Sequence, residues 1–145
     1  MREASGECVF CNIAVGKEPA SIMYEDGAVM AFMDIAQPRH GHGLIIPKQH
    51  VQDIFELDDE TGAVLISALR RVALATKEAF QPEGITVWQQ NGPPWQEVPH
   101  LHFHVLPRYR GDSLMRPWPT PLQPAPRDEL DRQAALIRQA LADVS

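Results

Sequence analysis

The sequence predicts an α+β fold, in which a five-stranded antiparallel sheet carries one long helix and a C-terminal helix. Five short runs of strand-forming residues, each bounded by turn residues, indicate the sheet. One long amphipathic stretch separates the third run from the fourth, and a second such stretch lies near the C-terminus. A length of 145 residues fits one domain with a single core, so we expect the helices to pack on the sheet.

The strand-like runs fall into a regular order with turn signals between them. Asp26-Gly27 separates the first two runs and is typical of a hairpin turn. With helices on one side, the sheet is expected to be covered on one face. The five predicted strands are Ile22–Tyr24, Ala28–Asp34, Gly43–Ile46, Ile85–Gln90 and His102–Leu106.

The long helix is predicted to begin after Asp58, whose side chain suits an N-cap, and to end at Pro82 and Gly84. Its apolar positions recur at helical spacing and predict a core-facing side. These positions are Thr61, Leu65, Ala68, Leu69, Val72, Thr76 and Ala79. The last helix, roughly Asp128 to Ala142, has a second apolar stripe that we also assign to the core: Leu130, Ala134, Ile137 and Leu141.

Composition excludes several classes of protein. A formal net charge of −6 argues against a broad nucleic-acid-binding face, although a small pocket can still bind phosphate. The start, Met1–Glu7, lacks the apolar core of a signal peptide, and no apolar run reaches the length of a membrane span. We therefore expect a cytoplasmic protein. The proline-rich segment Pro117–Pro126 is read as an extended connector, either a plain linker or a partner-binding segment.

Three of the six histidines alternate with apolar residues between His100 and Leu106. On a strand, this alternation would place His100, His102 and His104 on one face and the apolar residues on the other. Such a row suits two chemistries, a catalytic metal held by imidazoles or covalent attack by one histidine on phosphorus. The row alone does not choose between them.

Cys8 and Cys11 form the only Cys-x-x-Cys pair in the chain. In a reducing compartment a structural disulfide is not expected, which leaves a metal half-site or a redox motif. No strand precedes the pair, as a thioredoxin-like redox motif would require, so the metal reading is favoured.

Several motifs together resemble the histidine triad (HIT) nucleotide-binding superfamily. The histidine row, with Gln96-Glu97-Val98 before it and Pro107-Arg108 after it, is similar to the family signature. The Cys-x-x-Cys pair, Ala31-Phe32-Met33-Asp34 and the run from Gly41 to His50 match further landmarks in order. The resemblance implies one HIT-like domain over residues 1–145, with its core at 8–108 and a proline-rich connector and helix at 109–145. It also implies purine nucleotide binding, a homodimer and cleavage at the α-phosphorus.

The resemblance implies a role for each site residue. His102 would attack the α-phosphorus and form a nucleotidyl-histidine, while His104 and His42 would support the phosphate. The nucleotide would be bound by His104, Asp34, Asn91 and Gln96. Asp34 would accept hydrogen bonds from the ribose, with a simple turn residue as the alternative. Arg108 is either a contact to a phosphate tail or a solvated arginine.

The resemblance also implies a structural zinc bound by Cys8, Cys11, His50 and His100. Assigning His100 to zinc disfavours a catalytic metal on the histidine row. The chain departs from the family at Trp95, where relatives usually have glycine, and at Glu97, where many have serine or threonine. The substrate could be a dinucleoside polyphosphate, a nucleoside phosphoramidate or an adenylylated metabolite. A nucleotide-sensing or scaffold protein with little turnover is the alternative function.

Overall fold

A five-stranded antiparallel sheet in the order β1-β2-β3-β5-β4 forms the centre of the computed structural model, which describes residues 8–114 and 122–144. The elements in chain order are α1 (Val9–Ala14), β1 (Ile22–Glu25), β2 (Val29–Met33), β3 (Gly43–Pro47), a 3-10 turn (Ile54–Glu56), α2 (Asp59–Phe80), β4 (Gly84–Gln89), β5 (Phe103–Arg108) and α3 (Arg127–Leu141). The sheet, α1 and α2 belong to one compact unit that ends at Asp112, and α3 belongs to a second unit. The predicted α+β class is confirmed.

The turn between β1 and β2 is the hairpin that the sequence predicts. The Asp26 carboxylate accepts hydrogen bonds of 2.8 Å from the backbone N–H groups of Ala28 and Val29. The Asp26 N–H in turn donates to the Val29 carbonyl at 3.0 Å. An aspartate that bonds its own backbone in this way stabilises a tight turn.

Helix α2 begins and ends close to the predicted residues. The Asp58 side chain accepts a 2.7 Å hydrogen bond from the Thr61 N–H, which caps the helix start. The chain leaves the helix through Gln81 in the left-handed region, with φ of 51°. Most of the predicted apolar face is buried, namely Leu65, Ala68, Leu69, Val72 and Thr76.

Both faces of the sheet carry a hydrophobic cluster, whereas the sequence predicted cover on one face. In the larger cluster, buried residues of α2 pack with sheet residues such as Val29, Ala31, Ile45 and Val105. The opposite face packs Met30, Phe32, Leu44 and Ile46 against Phe10 and Ile13 of α1. Helix α1 was not predicted from the sequence, because six residues are too few to show a helical repeat of apolar positions.

The histidine row is only partly on a strand, which corrects the prediction for His102–Leu106. Strand β5 begins at Phe103, so both His100, which lies in a bend, and His102 precede it in irregular chain. The Leu101 N–H donates to the Val51 carbonyl at 2.7 Å instead of joining the sheet ladder. The alternation nevertheless holds, since Leu101, Phe103 and Val105 all pack in the α2 cluster.

Helix α3 forms at the predicted place, but none of its residues is buried. Ile137 is 63% exposed and Leu141 is 59% exposed, so the assignment of this stripe to the core is wrong for the single chain. Residues 122–126 have no regular secondary structure, while the rest of the predicted connector and Met1–Glu7 lie outside the described residues. None of the described helices has the length and hydropathy of a membrane span.

Candidate active site and metal centre

His102 is buried just before β5, with 8% of its surface exposed. Its Nδ1 lies 2.8 Å from the His100 carbonyl, an acceptor, so Nδ1 carries the proton and donates it. The lone pair is therefore on Nε2. Burial lowers the pKa of His102, which keeps the ring neutral near pH 7. A neutral imidazole with a free Nε2 lone pair is the form that can attack an electrophile.

His104 and His42 form a hydrogen-bonded pair beside His102. Nε2 of His42 lies 2.9 Å from Nδ1 of His104, and the His104 ring centroid lies 4.9 Å from that of His102. Burial, together with repulsion by His102 and His42 when those rings are protonated, lowers the pKa of His104 to about 3. When His42 donates the shared hydrogen, His104 keeps its own on Nε2 and can donate it to a phosphate oxygen.

Asp34 extends this pair to a third residue. Its Oδ2 lies 3.6 Å from Nδ1 of His42, and its Oδ1 accepts a 2.9 Å hydrogen bond from the Ala36 N–H. One carboxylate oxygen thus stabilises the turn after β2 while the other faces the buried imidazole. The structure brings Asp34, His42 and His104 together, and their roles in catalysis and nucleotide binding stay predictions.

The backbone conformation of Gly41 allows the loop to place His42 at this position. Gly41 adopts φ of +92°, a conformation that residues with a side chain rarely adopt. A Cβ at Gly41 would also come within 2.9 Å of the Phe80 and Pro107 side chains. The loop can therefore pack closely at this point and present His42 to the sheet.

Cys8, Cys11, His50 and His100 form a second cluster, with ligand atoms all within 4.8 Å of one another. The four Sγ–Nδ1 distances between the thiols and the imidazoles are 3.6, 3.5, 3.2 and 3.5 Å. A tetrahedral zinc with Zn–S of about 2.3 Å and Zn–N of about 2.1 Å would separate sulfur from nitrogen by about 3.6 Å. The donor set and its spacing are compatible with zinc.

His100 is oriented as a metal ligand requires. Its Nε2 lies 2.8 Å from the Pro47 carbonyl and must donate to it, so the Nδ1 lone pair faces the thiols. The His100 side chain is fully buried, and burial lowers its pKa to about 4. The predicted three-imidazole row is consequently split, with His100 in the cysteine cluster and His102 and His104 in the other site.

Asn91 and Gln96 lie in the loop after β4, and their described contacts hold that loop in place. The Gln96 amide accepts a 3.0 Å hydrogen bond from the Gly92 N–H and donates a 2.7 Å bond to the Gln52 carbonyl. The side-chain Oδ1 of Asn91 accepts a 2.8 Å hydrogen bond from the Ile54 N–H. Nucleotide contact by either residue stays a prediction.

Arg108, the last residue of β5, is held by an ion pair with Asp112 in the loop that follows. Its Nε and one terminal nitrogen each donate at 2.8 Å to the Asp112 carboxylate, and the other terminal nitrogen donates to the Thr86 hydroxyl at 3.0 Å. The Asp112 side chain is only 4% exposed. Neither sequence-based reading of Arg108, phosphate contact or solvated residue, included this bidentate pair.

Trp88 is a site residue that sequence reasoning missed. It pairs with His104 across β4 and β5, and its ring lies against the His104 imidazole. The sequence offered one signal for Trp88, the alternation of side chains along β-strands. That alternation shows which residue of the neighbouring strand lies beside a histidine only when the strand register is known.

A family model for the HIT domain matches residues 15–111 of the chain, a span that includes both sites except for the two cysteines. The chain belongs to the HIT family. At the family level it is a nucleotide-binding hydrolase or transferase. The match ends one residue before Asp112, the end of the first compact unit.

Relatives and solved structures agree with this HIT assignment. The chain is 36% identical over 137 residues to the protein hit of Bacillus subtilis, covering 93% of this chain and 94% of that protein. It is 37% identical over 120 residues to the adenosine 5'-monophosphoramidase of Schizosaccharomyces pombe, covering 81% and 87%. A zinc-bound histidine triad family protein from Mycobacterium smegmatis superimposes with a TM-score of 0.73 at 34% identity, covering 96% and 99%.

The loop contacts of the HIT site lead to a first prediction. Replacing Gln96 with Ala removes both amide hydrogen bonds from a buried position, so the loop should open more often. Hydrogen exchange at the Gly92 N–H should accelerate by about fivefold or more, since the loss of a hydrogen bond of about 1 kcal/mol changes an equilibrium by about fivefold. The exposed neighbour Gln90→Ala serves as control. Unchanged exchange at Gly92 in Gln96→Ala would contradict the bracing role.

Proposed function

We propose that this protein hydrolyses or transfers nucleotides by covalent catalysis at His102. The observation that carries the proposal is the 2.8 Å hydrogen bond from Nδ1 of His102 to the His100 carbonyl, which leaves a neutral ring with its lone pair on Nε2. The lowered pKa of the buried ring supports the same protonation state. The substrate would be a purine nucleotide with a good leaving group on its α-phosphorus.

The reaction would proceed in two displacements. In the first, Nε2 of His102 forms a bond to the α-phosphorus, and the leaving group departs with the electron pair of its own bond and takes up a proton. In the second, water attacks phosphorus, breaks the phosphorus–nitrogen bond and releases a nucleoside monophosphate. His104 and His42 would stabilise the phosphate oxygens, whose charge builds in each transition state. Asp34, Asn91 and Gln96 would bind the nucleotide.

Among the substrate classes, a nucleoside phosphoramidate is the best supported. The relative from Schizosaccharomyces pombe is named an adenosine 5'-monophosphoramidase, and the match covers most of both chains. Of the histidine row, only His100 belongs to the Cys2His2 cluster; His104 belongs instead to a second group of possible metal ligands with Asp34 and His42, and His102 belongs to neither group. The catalytic-metal reading of the histidine row is therefore the weaker one.

The second prediction tests the nucleophile. His102→Ala should lower turnover of adenosine 5'-phosphoramidate by about a thousandfold or more, because a covalent catalyst is deleted from an otherwise intact pocket. Nucleotide binding, measured by calorimetry with AMP, should largely survive. The exposed His40→Ala is the matched control and should keep full turnover. Activity of His102→Ala within tenfold of wild type would contradict the covalent mechanism. If the wild-type protein binds nucleotide tightly but does not turn it over, a sensing role is favoured instead.

We propose that Cys8, Cys11, His50 and His100 bind a structural zinc. Two thiols and two imidazoles at the spacing described suit a closed tetrahedral site that connects α1, the chain after β3 and the chain before β5. Burial raises the pKa of the Cys11 thiol to about 12, and a bound cation would favour the thiolate form. The zinc would hold α1 against the sheet and would leave His102 to the substrate.

The third prediction concerns this metal. Elemental analysis should find one zinc per chain in wild type and in His40→Ala, and none in Cys8→Ala. Chelation or Cys8→Ala should lower Tm, because metal binding contributes to folding, while the folded fraction keeps most of its turnover. Loss of all turnover at unchanged Tm would instead indicate a catalytic metal. Protein that never retains zinc would leave the cysteines as buried thiols.

We also propose that the protein is a homodimer that pairs along β4. This strand lies at one edge of the sheet, and Val87 on it is 42% exposed. An uncovered edge strand with an apolar side chain is a favourable place for a second copy to pair.

The fourth prediction tests this assembly. Sedimentation at micromolar concentration should give roughly twice the chain mass of 16.2 kDa. Val87→Lys should shift the protein towards monomer, because it places a charge on the pairing edge. Ile22→Lys, at the opposite edge of the sheet and 50% exposed, is the matched control and should remain dimeric. A monomeric wild type, or dissociation by Ile22→Lys alone, would refute pairing through β4.

A further inference from the structure

Trp88 lies directly beside the catalytic histidine pair. It is opposite His104 in the register of β4 and β5, so both side chains project from the same face of the sheet. The indole and the His104 imidazole are parallel, with ring centroids 4.2 Å apart and an angle of 2° between their planes. The same indole lies 5.4 Å from the His42 ring at an angle of 26°. One aromatic side chain thus packs against both imidazoles.

This stacking restricts the rotation of the His104 ring. In the described contacts His104 makes a single hydrogen bond, the 2.9 Å bond to His42, and one bond does not fix the plane of a ring. The two imidazoles are 25° from coplanar, which suits an in-plane hydrogen bond between Nε2 and Nδ1. The indole packs against the faces of both imidazoles and does not block the nitrogen atoms on their edges. Stacked aromatic pairs attract each other beyond the effect of area burial alone, and this attraction favours one orientation of the His104 ring.

We propose that Trp88 is a positioning residue, which holds the plane of His104 so that the His42–His104 hydrogen bond persists and Nε2 of His104 faces the phosphate. It acts through His104 and does not itself touch the reacting atoms. The proposal rests on the proposed function for its effect on turnover. Its effect on the hydrogen bond between the two histidines belongs to the free protein and is independent of any substrate.

The experiment compares Trp88→Leu, which removes the flat ring, with Trp88→Phe, which keeps one. Trp88→Met replaces the Leu variant if the latter does not fold, and Phe55→Leu is a control at an 84% exposed aromatic residue outside the site. Imidazole N–H signals are recorded by NMR on protein labelled with 15N-histidine. The signal shared by His42 and His104 is identified by its loss in His42→Gln. Turnover of adenosine 5'-phosphoramidate gives kcat and KM.

The proposal expects Trp88→Leu to lose or broaden the shared N–H signal and to lower kcat by about tenfold to a hundredfold, with KM changed less than about threefold, as a misplaced group does. Trp88→Phe should recover both readouts to within about threefold, and Phe55→Leu should match wild type. A sharp, unchanged N–H signal in Trp88→Leu overturns the proposal, whatever happens to kcat. An inactive wild type refutes the proposed function, and the N–H signal then still decides the role of Trp88.

Discussion

The hydrogen bond from His102 to the His100 carbonyl is the interaction on which the rest of the site depends. It fixes which nitrogen of His102 carries the proton, and it does so through the backbone of a residue whose own side chain belongs to the cysteine cluster. The His100 ring is fixed in turn by its bond to the Pro47 carbonyl on β3. The orientation of His102, the proposed nucleophile, is therefore set by a residue whose two ring nitrogens both have partners, the Pro47 carbonyl and the cysteine thiols.

The two faces of the sheet differ in what they carry, an apolar cluster on one and the imidazoles on the other. The α2 face is a continuous apolar cluster that includes Leu101, Phe103 and Val105. The opposite face carries the imidazoles, and Phe10 of α1 contacts the rings of both His100 and His102 edge-on, at 5.9 and 5.2 Å between centroids. The alternation of apolar and histidine side chains along residues 100–105 thus places a packed apolar core on one side of the sheet and polar rings on the other.

Local signals in the sequence were enough for much of the fold and for the grouping of the site residues. The Asp58 cap and the apolar period predicted α2, and Asp26-Gly27 predicted the hairpin, because each depends on neighbouring residues. The start of β5 was placed too early, since a bond from Leu101 to the distant Val51 carbonyl competes with the sheet. Trp88 was missed because its partner is 16 positions away and is defined by strand register. The bracing contacts of Gln96 are equally non-local.

The ion pair between Arg108 and Asp112 has a consequence for changes in the segment that follows it. The carboxylate accepts two bonds from the guanidinium and one from the Tyr109 N–H, so the loop after β5 is tied to the last residue of that strand. The histidine sites and the apolar clusters all lie before this point in the chain. A change in the length or composition of the segment after Asp112 is consequently expected to leave the apolar clusters and the two histidine sites described above in place.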